Sequence, residues 1–166
     1  GLFAGDRLIR RWRIETDLRR AFGWYARRLR CSPRPDAVVY GSVVPRLDAK
    51  IEAAVRKSFG LKACAITPRT RLGVKLKVRR PGQVGADRLL NTVALKALFG
   101  RTAIAIDFGT ATTFDCVDAE GDYLGGAILL GPDCAARALH EFTAKLPLAK
   151  VRKPATVMGK DTVHCL

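Results

Sequence analysis

Ala103-Ile104-Ala105-Ile106-Asp107-Phe108-Gly109-Thr110-Ala111-Thr112-Thr113 is the stretch of this 166-residue chain from which the fold can be read. An apolar run ends in a carboxylate, a glycine and then hydroxyls. Such a run reads as a hydrophobic strand feeding a turn. At its end stand a carboxylate that can hold a cation, a glycine that lets backbone approach an oxygen-rich ligand, and threonines that can donate hydrogen bonds. That combination suits phosphate and metal chemistry.

Downstream, strands are expected at about 102–107, 112–118 and 123–129, the last two joined by Ala119-Glu120-Gly121-Asp122. Gly125-Gly126 marks tight packing or a close ligand approach. Gly131-Pro132 opens a helix with proline in its first turn, burying Ala135, Ala138, Leu139, Phe142 and Leu146. Beyond Pro147 the chain reads as loop, with no clear terminal element. Upstream, an amphipathic helix spans 84–99, with Leu90, Val93, Ala94, Ala97 and Leu98 as its apolar stripe and Gly100 as its stop. Gly73 to Val78 alternates apolar and basic residues, the pattern of a half-exposed strand. Ala37 to Tyr40 reads as a buried strand, and Ala63 to Thr67 as another short strand. Between them a helix runs from about Arg46 to Phe59 and is closed by Gly60. Thr16 or Asp17 can cap a helix reaching Arg30, and residues 2–14 read as a hairpin turning at Gly5-Asp6. Strands and helices in this order predict an α/β protein with mixed sheets.

Gly5-Asp6-Arg7-Leu8 matches Gly121-Asp122-Tyr123-Leu124 at an offset of 116 positions, each at an expected hairpin tip. If this reflects a duplication, the counterpart of Asp107 falls before Gly1. The chain opens on Gly1 and not on methionine, so an incomplete start is expected.

The net charge is +15, with a dense basic patch from Arg7 to Arg34. Basic residues are otherwise spread along the chain, without zinc-finger spacing, a helix-turn-helix or an aromatic RNA-binding signature. Solvation and acidic small molecules explain the charge better than nucleic acid, which is not expected as a partner. The five cysteines are far apart, odd in number and without a Cys-x-x-Cys pair. A reduced, cytoplasmic protein without a zinc site is expected, with most cysteines serving as small core residues. No apolar run approaches the roughly 18 residues that span a bilayer, and no signal-peptide pattern is present, so no membrane partner is expected.

A second constellation is Gly85-Ala86-Asp87-Arg88, followed by Asn91. Asp87 falls in a first helical turn, where the helix N-terminus favours its ionised form, and Asn91 lies one turn on along the same face. An ionised carboxylate can accept a proton from a substrate hydroxyl, and Arg88 can grip a carboxylate or phosphate. The triplet Asp107-Phe108-Gly109 also occurs in protein kinases, but no His-Arg-Asp loop, strand lysine or Ala-Pro-Glu accompanies it here.

Taken in order, Ser42-Val43-Val44-Pro45, Gly85-Ala86-Asp87-Arg88 with Asn91, Asp107 through Asp115, Gly125-Gly126-Ala127-Ile128 and Gly159-Lys160-Asp161-Thr162 resemble the type III pantothenate kinases. The resemblance covers essentially the whole chain and places it in the acetate and sugar kinase, Hsp70 and actin superfamily. It implies a duplicated actin-like (ribonuclease H-like) fold with mixed sheets, truncated at both ends. Residues 1–100 would form the first half, lacking its first strand, and 101–166 the start of the second. It implies phosphorylation of pantothenate to 4'-phosphopantothenate, the first step of coenzyme A synthesis, using ATP with Mg2+ and a monovalent cation, K+ or NH4+. By resemblance Asp87 is the proton acceptor, and Gly85, Ala86, Asp87, Arg88 and Thr162 bind pantothenate. Thr110 contacts ATP and Asp107 binds the monovalent cation. A homodimer with the pantothenate site near its interface is implied. The family's opening Asp-x-Gly-Asn-Thr strand and its glycine-rich adenosine region are absent from this sequence. Val78 stands where the family often has tyrosine, and Leu130-Gly131 where it often has Pro-Gly. Three alternatives remain at this level: a non-catalytic regulator of the Bvg accessory factor type, a basic nucleic-acid-binding module, and a superfamily kinase acting on another hydroxyl substrate.

Overall fold

A computed structural model describes residues 1–166. The chain divides into two compact units that exchange segments. One comprises Gly1–Thr70 with Gly82–Leu90, the other Arg71–Pro81 with Asn91–Leu166. No helix is long and apolar enough to cross a membrane.

The first unit opens with the expected hairpin, shorter than the pattern suggested. Strands β1 (Leu2–Ala4) and β2 (Arg7–Arg10) pair antiparallel, with Ala4 opposite Arg7 around Gly5-Asp6. Helix α1 (Phe22–Leu29) starts several residues later than a cap at Thr16 or Asp17 would place it. The Asp17 carboxylate accepts from the Arg19 backbone N–H at 3.0 Å, two residues on, and closes a local turn there. The Arg19 guanidinium donates to the same carboxylate and holds its pKa down to about 2. The Tyr25 hydroxyl anchors this turn, donating to the Asp17 carbonyl at 2.8 Å and accepting from the Asp17 N–H at 3.0 Å.

Strand β3 (Val38–Gly41), helix α2 (Pro45–Phe59) and strand β4 (Ala63–Ile66) form a βαβ unit with β3 and β4 parallel. Pro45 at the first turn starts α2, and Gly60, at φ 68°, ends it in the left-handed conformation that glycine adopts without strain. Tyr25 and Ala26 of α1 bury against Leu47 and Ala54 of α2, while Val55 and Phe59 pack with Ala63 of β4. Each large side chain buried here contributes about 1.5–3 kcal/mol.

Helix α3 (Ala86–Phe99) matches the expected span, but not the expected face. Ala86, Leu89, Thr92 and Leu95 are buried, whereas Leu90 and Leu98 are 40% and 75% exposed. This helix is apolar around most of its circumference, so periodicity alone does not select the buried stripe.

In the second unit β5 (Ala103–Phe108), β6 (Ala111–Val117) and β7 (Tyr123–Leu130) form an antiparallel meander in that order. Each boundary lies within one residue of expectation. Gly125, at φ 121°, sits where the β6–β7 register shifts, a conformation that favours glycine. Helix α4 (Pro132–Phe142) follows, ending earlier than expected. Only Ala136 of it is fully buried, and Leu139 and Phe142 of the expected buried side are exposed. A short helix absent from the sequence reading, α5 (Thr162–Cys165), closes the chain; Asp161 caps it by accepting from the His164 N–H at 2.9 Å. All five cysteines are free, and none is fully buried, against the expectation of core placement for most.

Residues Gly73 to Val78 alternate in exposure as expected, yet do not form a strand. They are joined to β7 around Tyr123, through Lys77 N–H to the Tyr123 carbonyl at 2.8 Å and Tyr123 N–H to the Lys75 carbonyl at 2.9 Å. The attachment is reinforced by charge. Lys77 Nζ donates to Asp118 and lies 3.3 Å from Asp122, and the Lys75 N–H donates to Asp122 at 2.9 Å. The bond from Lys77 lowers the Asp118 pKa, and the Lys75 N–H, then Lys77, lowers that of Asp122. Asp118, then Asp122, raises the Lys77 pKa. Both acids therefore stabilise the fold above 3.8, and lose that contribution as pH falls through their depressed values. Lys77 contributes below 10.5 and loses its share as pH rises through its elevated value. Urea midpoints of the wild type and Lys77→Met should differ most near neutrality. The gap should close at both acid and alkaline extremes; a gap independent of pH would contradict the ion-pair account.

Candidate active site

The parallel strands of the first unit set up one candidate group of residues. At the C-terminal end of β3, Gly41 lies so close to the start of α3 that an added Cβ would stand 2.7 Å from Leu90 Cδ1 and 3.3 Å from Ala86 Cβ. The N-terminus of α3 is thereby seated at the carboxyl end of the β3–β4 pair, the end at which open α/β sheets bind ligands. Gly85 precedes the helix, and its carbonyl accepts the first helical bond from the Leu89 N–H at 3.1 Å. A Cβ on Gly85 would lie 2.4 Å from Asp87 Oδ1. The Asp87 carboxylate occupies the space a side chain at 85 would need, so glycine is required there for this carboxylate position.

Asp87 is exposed in the first turn of α3, and its Oδ1 accepts from the Arg88 backbone N–H at 2.9 Å. A carboxylate has about four acceptor sites, so this bond orients it and leaves capacity for a substrate hydroxyl. Gly85, Ala86, Asp87 and Arg88 are thus brought together as one short cradle, with Ala86 buried and Arg88 half-buried.

A second candidate group, in the second unit, lies at the β5–β6 turn. Asp107 is opposite Thr113 and Phe108 opposite Thr112, with Gly109 and Thr110 making the turn. Asp107 and Thr110 are exposed, while Thr112 is buried. Gly109 N–H donates to the Ala111 carbonyl at 3.0 Å, and Gly131 N–H to the Thr110 carbonyl at 3.0 Å. Gly131 is the residue that sequence reasoning missed. A Cβ on it would fall 1.9 Å from the Gly109 oxygen and 2.7 Å from the Thr110 oxygen. It also begins α4, whose first bond runs from the Ala135 N–H to the Gly131 carbonyl at 2.8 Å. The glycine-proline pair was legible as a helix start, but its approach to a turn some twenty residues earlier was not.

Thr162 heads α5 behind its Asp161 cap and shares no element with either group. No cluster of three or more His, Cys, Asp or Glu side chains gathers to hold a metal ion. A cation at Asp107 would therefore take further ligands from carbonyl, hydroxyl or substrate oxygens, a hard-oxygen set that suits alkali and alkaline-earth ions.

A carboxylate heading a helix behind a cramped glycine, and a carboxylate-glycine-threonine turn at a strand end, are each groups that phosphoryl transfer can use. The family model for type III pantothenate kinase matches residues 1–166. The chain is 38% identical over 174 aligned positions to the type III pantothenate kinase of Moorella thermoacetica, covering all of this chain and 68% of that protein. It is 40% identical to that of Thermus thermophilus, covering 69% of it, and 37% identical to that of Koribacter versatilis, covering 64%. The chain belongs to the type III pantothenate kinase family, and spans about two thirds of the length of these curated relatives.

Proposed function

We propose that the protein transfers the γ-phosphoryl group of ATP to pantothenate, giving 4'-phosphopantothenate for coenzyme A synthesis. The observation that carries this reading is the Asp87 carboxylate, exposed at the N-terminus of α3 and fitted into the space left by Gly85. Asp87 takes the proton of the pantothenate hydroxyl as its oxygen attacks the γ-phosphorus and ADP departs. Gly85 through Arg88 hold the pantothenate, Arg88 by its positive charge, and Thr162 supplies a further contact. Thr110 donates to ATP from the turn held by Gly131, and Asp107 binds a monovalent cation, K+ or NH4+. Mg2+ and the monovalent cation supply charge neutralisation on the phosphates, and positioning does most of the remaining work.

The two-half reading of the fold, 1–100 and 101–166, has support in the order of elements. The hairpin β1–β2 followed by α1 repeats as β6–β7 followed by α4, and both hairpins turn through a positive-φ glycine, Gly5 at 56° and Gly121 at 76°. A homodimer is consistent with Leu98 and Phe99 of α3, exposed by 75% and 54%, which a second subunit would cover. A cytoplasmic location fits the free thiols.

The full-length protein should release ADP from ATP in the presence of pantothenate and require K+ or NH4+ for full rate. Release with acetate or a sugar, and none with pantothenate, would assign the fold to another hydroxyl substrate.

A further inference from the structure

The second unit contains a buried carboxylate for which phosphoryl transfer has no direct use. Asp115 lies on β6, opposite Ala105 on one side and Gly126 on the other, and is 0% exposed. Asn91 Nδ2 of α3 donates to its Oδ2 at 3.0 Å, and the Tyr123 hydroxyl to its Oδ1 at 3.4 Å. Tyr123 is itself 2% exposed and fixed through its backbone to Lys75 and Lys77. Both oxygens of Asp115 are therefore engaged, one by the helix and one by the sheet's own frame.

A fully buried carboxylate is an expensive way to fill a strand position; apolar side chains of similar volume often give equal or greater stability. What a carboxylate adds is direction, because its hydrogen bonds fix the angle of the group they meet. Asn91 stands four residues after Asp87 on the unbroken helix α3. Four residues turn an α-helix by about 400° and advance it about 6 Å, so the two side chains share one face.

We propose that Asp115 is a positioning residue, which sets the rotation of α3 about its axis through Asn91 and so aims the Asp87 carboxylate. The proposal rests on the assignment of Asp87 as the base. A rotation of about 10° displaces a carboxylate some 6 Å from the helix axis by roughly 1 Å, and a misplacement of that size can cost about 100-fold in rate. Asp115 touches neither substrate in this account; it acts on α3 through Asn91.

The test exchanges the two groups in the full-length protein. Asn91→Asp sets two carboxylates against each other and should lower kcat about 100-fold, with KM for ATP within about threefold of wild type. Adding Asp115→Asn restores a donor-acceptor pair in reverse and keeps an acceptor for Tyr123, and should recover at least about tenfold of kcat. Asn91→Ala, a milder change, should lower kcat about tenfold at unchanged KM and keeps the test open if Asn91→Asp fails to fold. Recovery of kcat in the exchanged pair supports the proposal. Two results overturn it while leaving the base intact: kcat unchanged in Asn91→Ala and in whichever Asn91→Asp protein folds, with Asp87→Asn inactive, or kcat and both KM values shifting together with melting temperature. An active Asp87→Asn enzyme removes the base and this proposal with it.

Discussion

Asp87→Asn in the full-length protein is expected to lower kcat for pantothenate phosphorylation by about 10²–10⁴-fold, the usual worth of a general base. Pantothenate binding, measured by calorimetry without turnover, should change by less than about threefold. The substitution keeps the shape of the side chain and its acceptor for the Arg88 N–H, so the cradle from Gly85 to Arg88 remains. What it removes is the ability to take a proton. Loss of the negative charge at the start of α3 weakens a favourable helix-terminus interaction of about 0.3–1 kcal/mol, too little to unfold the protein. A variant with wild-type kcat would show that the hydroxyl loses its proton elsewhere. A variant whose KM rises while kcat holds would make Asp87 a binding group and not a base.

The local parts of this molecule were legible and the long-range parts were not. The run Ala103 to Ile106, the Gly60 stop of α2 and the turn at Gly5-Asp6 depend on neighbours within a few residues, and each appears where its residue pattern puts it. The two candidate segments, Gly85 to Arg88 and Asp107 to Thr113, are each contiguous in sequence, so local pattern alone could single them out as candidates. Asp17 misled because a side chain able to cap a helix is equally able to bond two residues on, and the distant Tyr25 hydroxyl braces that second choice. The face of α3 misled because Leu89, Leu90, Leu95 and Leu98 cover most of its circumference. Gly73 to Val78 kept the alternation of a strand, but a strand needs a bonded partner along its length, and only Tyr123 supplies one. The roles of Gly131 and Asp115 depend on approaches across some twenty residues of sequence, which no local pattern encodes.

Gly131→Ala is expected to damage stability and nucleotide binding together. Gly131 has φ −69° and ψ 159°, which alanine adopts without strain, so any cost is steric and not conformational. The added carbon would stand 1.9 Å from the Gly109 oxygen and 2.7 Å from the Thr110 oxygen, both backbone atoms unable to rotate away. Either the β5–β6 turn or the start of α4 must move by more than an ångström, breaking the bond from the Gly131 N–H to the Thr110 carbonyl. Overpacking of this kind costs about 1–3 kcal/mol, and the lost bond about 1 kcal/mol more. For a chain of this size that corresponds to a fall of roughly 5–15 °C in melting temperature. Thr110, the proposed ATP contact, shifts with the turn, so KM for ATP should rise by about tenfold or more, while KM for pantothenate, proposed to bind at Gly85 to Arg88, should change less. Gly109→Ala supplies the contrast in the same turn. Its added carbon would lie 3.7 Å from the Ala111 oxygen, an ordinary contact, so its melting temperature should stay within a few degrees of wild type. If both variants melt alike, the close approach of Gly131 does not hold the turn. If Gly131→Ala melts early but keeps its KM for ATP, the turn is structural and Thr110 does not contact the nucleotide.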